Sequence, residues 1–311
     1  MKKTSATVVF FGSGPVAAKS LELLTTQFNI EAVVTKPKPK HHRQSLPVLD
    51  IATKLKLNIY TVENRAALSE LIVKKPFKKT SVGVLIDFGI IIDRKVINYF
   101  ERGIVNSHFS LLPQWRGADP ISFAILSGQA YTGVSLMLLN EKMDEGPILA
   151  QSPLAIPPTY TNKELTNELI ELSQAMLVEI LPLYLDNKVS PIPQDLSMPV
   201  SYSRKLAKDD SKIDWHKTAF QLEREILAFN EWPKSHALIA GIDVIITKTH
   251  LEPNSDTQVK DPKPGQVLSD KQNSLAVVTG DGLLFIDELK PAGKKTMSIN
   301  QFLQGYKNRL L

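Results

Sequence analysis

Two short stretches of this 311-residue chain carry side chains whose types and spacing suit acid–base and oxyanion chemistry. Asn106-Ser107-His108 closes an apolar run that begins at Ile104 and leads into Ser110-Leu111-Leu112-Pro113-Gln114-Trp115-Arg116-Gly117. On a strand, positions two apart share a face, so Asn106 and His108 project together. An amide donor beside an imidazole suits stabilisation of a developing oxyanion, and the imidazole can also move a proton. Asp144-Glu145-Gly146-Pro147 follows a second apolar run, in a loop whose Gly and Pro let backbone approach a ligand. A carboxylate there, if near His108, would orient the ring and favour its charged form. Each feature alone has a plainer reading: Asn and His at a strand end satisfy backbone groups, and an Asp before Glu-Gly serves a turn. Neighbouring strands make an approach of Asp144 to His108 geometrically available, but spacing does not require it.

The elements that must hold these residues alternate between strand and helix. Residues 7–12, 30–35, 58–62, 82–87, 104–108 and 132–139 read as strands, and 15–27, 47–56 and 65–75 as helices. This alternation predicts an α/β fold with a mostly parallel sheet covered by helices. Sheets of that kind bind ligands outside the carboxyl ends of their strands, which places Gly12, Phe88-Gly89 and 106–108 on one rim. A long helix over 162–185 closes this first domain, taken as 1–187. Three prolines between 190 and 200 predict an extended linker over 188–206. The second domain, 207–311, has an amphipathic helix at 218–230 and short strands at 237–239, 244–249, 265–269, 276–279 and 283–289. Asp281-Gly282 is a hairpin signal between the last two. A small β-barrel is expected, with an OB-like barrel one option.

Bulk composition excludes several classes. Cysteine is absent, so there is no disulfide framework, thiolate zinc site or cysteine nucleophile, and 43% of residues are hydrophobic, enough for a core in each domain. No apolar run reaches the roughly 18 residues of a membrane span, and no signal peptide is visible, so a cytoplasmic protein without membrane contact is expected, taken to be a monomer although these features do not bear on oligomeric state. The net charge of +5 is concentrated at the start: residues 1–80 hold 14 Lys and Arg against 5 Asp and Glu. Lys36, Lys38, Lys40, His41, His42 and Arg43 share one loop, either a solvated loop or a contact for an anionic partner such as nucleic acid.

The run from Asn106 through Gly117 resembles the signature of the folate-dependent formyltransferases, and 143–148 resembles their downstream aspartate loop. Phe11-Gly12-Ser13, Phe88-Gly89-Ile90-Ile91, Tyr202-Ser203-Arg204-Lys205, Ile213-Asp214-Trp215, Trp232-Pro233 and 290–295 fit the same family, within it the branch that acts on methionyl-tRNA. The resemblance covers nearly the whole chain. It implies a Rossmann-like catalytic domain, an OB-like carboxyl domain that contacts tRNA, 10-formyltetrahydrofolate as formyl donor, and initiator methionyl-tRNA as acceptor. It makes Asn106, His108 and Asp144 the catalytic trio and places Ser110, Leu111, Leu112 and Pro113 against the folate. It sets Phe88 and Ile90 beside the pterin, and assigns Lys36, Lys38, Lys40 and Arg43 to the acceptor end of the tRNA. No metal is required.

The chain departs from the family pattern at Gly14-Pro15-Val16, at Asp87 before the aromatic-glycine pair, in a basic loop without glycine, and at Leu227 and Glu231. Three rival readings remain: formylation of a nucleotide-linked amino sugar, hydrolysis of the formyl group onto water, and RNA binding without catalysis. The intact trio speaks against the last.

Overall fold

The apolar run at the start of the chain is strand β1 (Thr7–Phe11), whose last four residues are buried. Proline at the first helical position, where its missing N–H is no loss, starts α1 (Pro15–Thr25). The alternation continues through β2 (Asn29–Thr35), α2 (Pro47–Lys54), β3 (Ile59–Thr61), α3 (Arg65–Val73), β4 (Gly83–Leu85), α4 (Arg94–Ile97) and β5 (Ile104–His108). The two-residue strand β6 (Arg116–Gly117), α5 (Pro120–Leu126), β7 (Tyr131–Leu138), β8 (Ile148–Ala155), α6 (Asn162–Leu185) and the two-residue strand β9 (Tyr202–Ser203) follow. This computed structural model describes residues 6–38, 46–252, 261–269 and 274–310. Two units emerge: Met1–Pro120, Tyr131–Ala155 and Thr166–Ser203 form the first, and Ile121–Ala130, Ile156–Leu165 and Arg204–Leu311 the second.

In the first unit seven strands form one sheet in the order β3-β2-β1-β4-β5-β7-β8. β1 through β5 pair in parallel, a parallel-rich, Rossmann-like arrangement. The chain builds outward from β1 to β3, then restarts on the other side at β4. The carboxyl ends of β1, β4 and β5 therefore open on one crevice, where such sheets take ligands. Phe11, Phe88 and Phe100 pack edge-to-face beneath that rim, with Phe11 5.7 Å from Phe88 and 5.8 Å from Phe100 between ring centres.

The last two strands differ from the expectation. β7 runs antiparallel to β5, and β8, which the apolar pattern does not predict, runs antiparallel to β7. Gln151, Ser152 and Pro153 interrupt the alternation of β8, and a proline is tolerated there because the strand lies at the sheet edge.

In the second unit an antiparallel half-barrel sheet runs β10 (Ser235–Ile239), β11 (Ile242–His250), β14 (Leu283–Pro291), β13 (Leu275–Val278) and β12 (Val267–Ser269), with β15 (Met297–Ser298) on β14. Asp281-Gly282 forms the turn from β13 to β14, with Gly282 at φ +85°. Helix α7 (Ala219–Ala228) is capped reciprocally by Thr218 and Gln221 and buries Leu222 and Ile226 against the sheet with Phe302 of α8 (Ile299–Leu310). Arg204 grips the Asp210 carboxylate with two bonds of 2.7 Å. That contact, with the Ala207 N–H, lowers the Asp210 pKa to about 2.

This packing is testable at two points. Gly133 lies on β7 where an added Cβ would stand 2.2 Å from the Ser152 carbonyl and 2.6 Å from Leu111. Gly133→Ala should destabilise the protein by about 1–3 kcal/mol in urea unfolding, as overpacking does; a variant as stable as the parent contradicts the contact. The Asp210 pKa is depressed in the folded state, so its stabilisation is full above the unfolded value and fades as pH falls through about 2. Arg204→Ala should therefore lower stability at neutral pH, with the gap to the parent closing between about pH 4 and 2. A gap independent of pH would refute it.

Candidate active site

β5 ends on the rim with Asn106 and His108 on one face and Ser107 on the other, where the Ser107 hydroxyl meets that of Ser173 at 2.7 Å. Asn106 and His108 are 6% and 7% exposed, so their polar atoms must find partners within the protein. His108 Nε2 lies 2.9 Å from the Trp115 carbonyl, which only accepts, so Nε2 carries a proton. That bond turns Nδ1 toward Asp144, whose Oδ2 stands 3.8 Å away. The Asn106 amide donates to Asp144 Oδ1 at 3.4 Å, and the Gly117 backbone N–H donates to Oδ2 at 2.8 Å. The three residues singled out from sequence are thus in one cluster. A carboxylate, an amide and a ring nitrogen converge there without a direct hydrogen bond between ring and carboxylate.

Asp144 reaches this position from a strained backbone. Its φ is +52°, a left-handed conformation that costs a non-glycine residue about 1–2 kcal/mol and persists when neighbours enforce it. Gly117 has φ +105°, and a Cβ there would lie 2.4 Å from the Ser203 carbonyl, so only glycine admits this approach.

The turn at 110–113 is pinned from behind by two residues that sequence reasoning did not single out. Ser135 on β7 donates to the Ser110 carbonyl at 2.6 Å and accepts from the Leu112 N–H at 3.0 Å and from Gln151 at 2.8 Å. Gln151, its cross-strand partner on β8, also donates to the Leu112 carbonyl at 2.8 Å. The hydroxyl spends its one donor and one acceptor site on this turn and its second acceptor site on Gln151. Ser110, Leu112 and Pro113 are buried, and Ser110 bonds the Gln114 carbonyl at 2.5 Å. A lone serine in the buried run of β7 was the available signal for Ser135.

Residues 192–203 lie along the same loops. Ile192 pairs with Ile148; Ser201 accepts from Trp115 N–H at 2.9 Å, and its carbonyl accepts from Arg116 N–H at 3.0 Å. β9 then pairs with β6. Gln194 accepts from Arg116 at Nε (3.2 Å) and Nη2 (2.6 Å) and donates to the carbonyls of Asp144 (2.7 Å) and Gly146 (3.0 Å). Arg116, 4% exposed, also faces Glu145 at 3.5 Å.

The remaining predicted positions lie on the rim or beyond the described residues. The Phe88 ring is buried against Phe11, so the 88–90 segment presents backbone to the rim, and Ile90 is half-buried against the same core. Asp87, at φ +46°, lays its carboxylate over Gly14, where a Cβ would lie 1.9 Å from Oδ2. This explains the Gly14-Pro15 departure, and an anion there complements the amino end of α1. Lys36 donates to the Gly89 carbonyl at 3.0 Å, Lys38 is exposed, and Lys40 and Arg43 lie outside the described residues. Among the described residues no group of three or more His, Cys, Asp or Glu could hold a metal ion, and no helix is long and apolar enough to cross a membrane.

With this geometry, residues 6–181 match the formyl transferase family and 205–307 its carboxyl-terminal domain. The chain belongs to the formyl transferase family. Relatives of nearly the same length are methionyl-tRNA formyltransferases: that of Roseiflexus castenholzii is 35% identical over 312 residues, covering 97% of this chain and 96% of the relative. The fold is shared with the N-formyltransferase of Helicobacter canadensis, solved with folinic acid and dTDP-3-aminofucose (TM-score 0.67, 19% identity, 91% of this chain and 98% of that one). HypX of Aquifex aeolicus, in complex with tetrahydrofolic acid, also shares it (TM-score 0.62, 15% identity, 96% of this chain); there the match spans 47% of the longer protein.

Ser135→Ala should leave the Leu112 N–H unmet, at a cost of about 1–3 kcal/mol, and raise KM for the formyl donor more than it changes kcat. Parent-like stability and KM would show that Ser135 does not hold the turn.

Proposed function

We propose that this protein transfers the formyl group of 10-formyltetrahydrofolate to the free α-amino group of methionyl-initiator tRNA, giving N-formylmethionyl-tRNA for translation initiation. The observation that carries this reading is the convergence of Asn106, His108 and Asp144 beside the 110–117 segment, in a chain that aligns end to end with a methionyl-tRNA formyltransferase.

α-Amino groups titrate at about 7.7–8, so a useful fraction of the acceptor is neutral and nucleophilic near neutral pH. The amine attacks the formyl carbon, and negative charge develops on the formyl oxygen. Asn106 keeps one amide N–H on Asp144 and has the other for that oxygen. His108, in its charged form, presents Nδ1–H to the same space, because Nε2–H is spent on Trp115. Asp144 balances the imidazolium charge and relays the amine proton through water to the folate nitrogen, which leaves as a neutral amine when its bond to the formyl carbon breaks. Two aimed donors in a water-poor site account for much of the rate, since removing one such donor typically costs roughly 100–1000-fold. The scheme requires no metal.

In this reading the donor lies along Ser110, Leu111, Leu112 and Pro113 and the backbone of Phe88 to Ile90. The first domain, 1–187, carries the chemistry; the segment 188–206 leads to a domain, 207–311, that contacts tRNA. Lys36, Lys38, Lys40 and Arg43 meet phosphates of the acceptor stem. The reaction belongs to the cytoplasm, where its acceptor is used.

The test supplies 10-formyltetrahydrofolate with methionyl-initiator tRNA, a nucleotide-linked amino sugar, or water alone. Formyl transfer to the charged tRNA alone is expected; transfer to the sugar, or donor hydrolysis as the sole reaction, would sink the assignment. His108→Ala should lose roughly 100-fold or more in kcat while keeping its affinity for tRNA in filter binding. Full turnover by that variant contradicts the role given to the ring.

A further inference from the structure

We infer that Gln194 is a positioning residue for formyl transfer, acting through the backbone of Asp144; this rests on the catalytic role proposed above for Asp144. Between residues 190 and 200 every residue is exposed except Gln194. Its side-chain amide is fully used: Oε1 accepts two N–H groups of Arg116, and Nε2 donates to the carbonyls of Asp144 and Gly146. Arginine only donates and a carbonyl only accepts, so the bridge needs a group that accepts on one side and donates twice on the other. An amide of glutamine length does this. Glutamate keeps the arginine and loses both donors, and lysine loses the acceptor.

The consequence falls on Asp144. Its left-handed backbone is held on the carbonyl side by Gln194, which fixes where the carboxylate points: at the Gly117 N–H, the Asn106 amide and the His108 ring. Arg116, held by the same amide, is the residue before Gly117, so one side chain sets the spacing between the two loops that meet at the carboxylate. A displacement of about 1 Å in such a group can cost roughly 100-fold in rate without touching substrate affinity.

Gln194→Met, close in shape but without the amide, should lower kcat roughly 100-fold with both KM values near those of the parent. Gln194→Glu, which restores only the arginine contact, should not rescue kcat. A double-mutant cycle isolates the route: if Gln194 works through Asp144, Gln194→Met adds little to the loss already present in Asp144→Ala. Parent-like kcat in Gln194→Met and Gln194→Glu overturns the inference. So does a double variant slower than Asp144→Ala by the whole factor that Gln194→Met costs alone, because a merely structural role would be additive. The cycle is measured with whichever acceptor the parent enzyme formylates. A parent inactive toward methionyl-tRNA but active on another acceptor contradicts the acceptor assignment, and the cycle on that other acceptor then decides the role of Gln194.

Discussion

The hydrogen bond from the Gly117 N–H to Asp144 Oδ2, at 2.8 Å, ties the segment that follows β5 to the loop that follows β7, and the geometry of the site depends on it. One segment follows the end of β5 and brings the Trp115 carbonyl back to His108; the other follows β7 and carries a carboxylate on a left-handed residue. A carboxylate brought into a cluster less than 15% exposed needs donors to replace lost water. Gly117 and Asn106 supply them. Gly117 can do so because it lacks a side chain where the Ser203 carbonyl passes.

The same requirement explains why so much chain is spent behind the site. A catalytic group is useful only when its own orientation is locked, and here the locks are backbone contacts more than packing. β7 and β8 hold the 110–113 turn through Ser135 and Gln151. The proline-rich segment after α6 lies along 113–117, where a chain without helical or sheet preference offers its polar groups sideways. The parallel core supplies the stiff floor: Phe11, Phe88 and Phe100 interlock under the rim that the loops surround.

How much of this was legible depended on whether a signal was local. β5 and α6 occupy the residues that the apolar pattern predicts, 104–108 and 162–185, because β5 is an uninterrupted buried run and α6 repeats its buried positions at helical spacing over 24 residues. The Asp281-Gly282 turn was legible for the same reason, since its chemistry sits in two residues. The types of Asn106, His108 and Asp144 suggested the chemistry, and their strand and loop positions were visible. Their convergence was not, because it depends on the antiparallel turn from β7 to β8 and on two-residue strands 86 positions apart. β8 was hidden by Gln151, Ser152 and Pro153. Gln194 looked like any polar residue in an exposed segment, and Lys36, read as part of a charge run and by resemblance as a tRNA contact, is tied to the Gly89 carbonyl.

In the proposed reaction the Asp144 carboxylate, held where the loops meet, serves the chemical step and not donor binding. Single-turnover formylation by Asp144→Asn, which keeps the shape and an acceptor for Gly117 but removes the charge, tests this most directly. We expect a chemical step slowed by roughly 100-fold or more with an unchanged dissociation constant for the folate donor. A chemical step at the parent rate, or a loss confined to donor affinity, would contradict it.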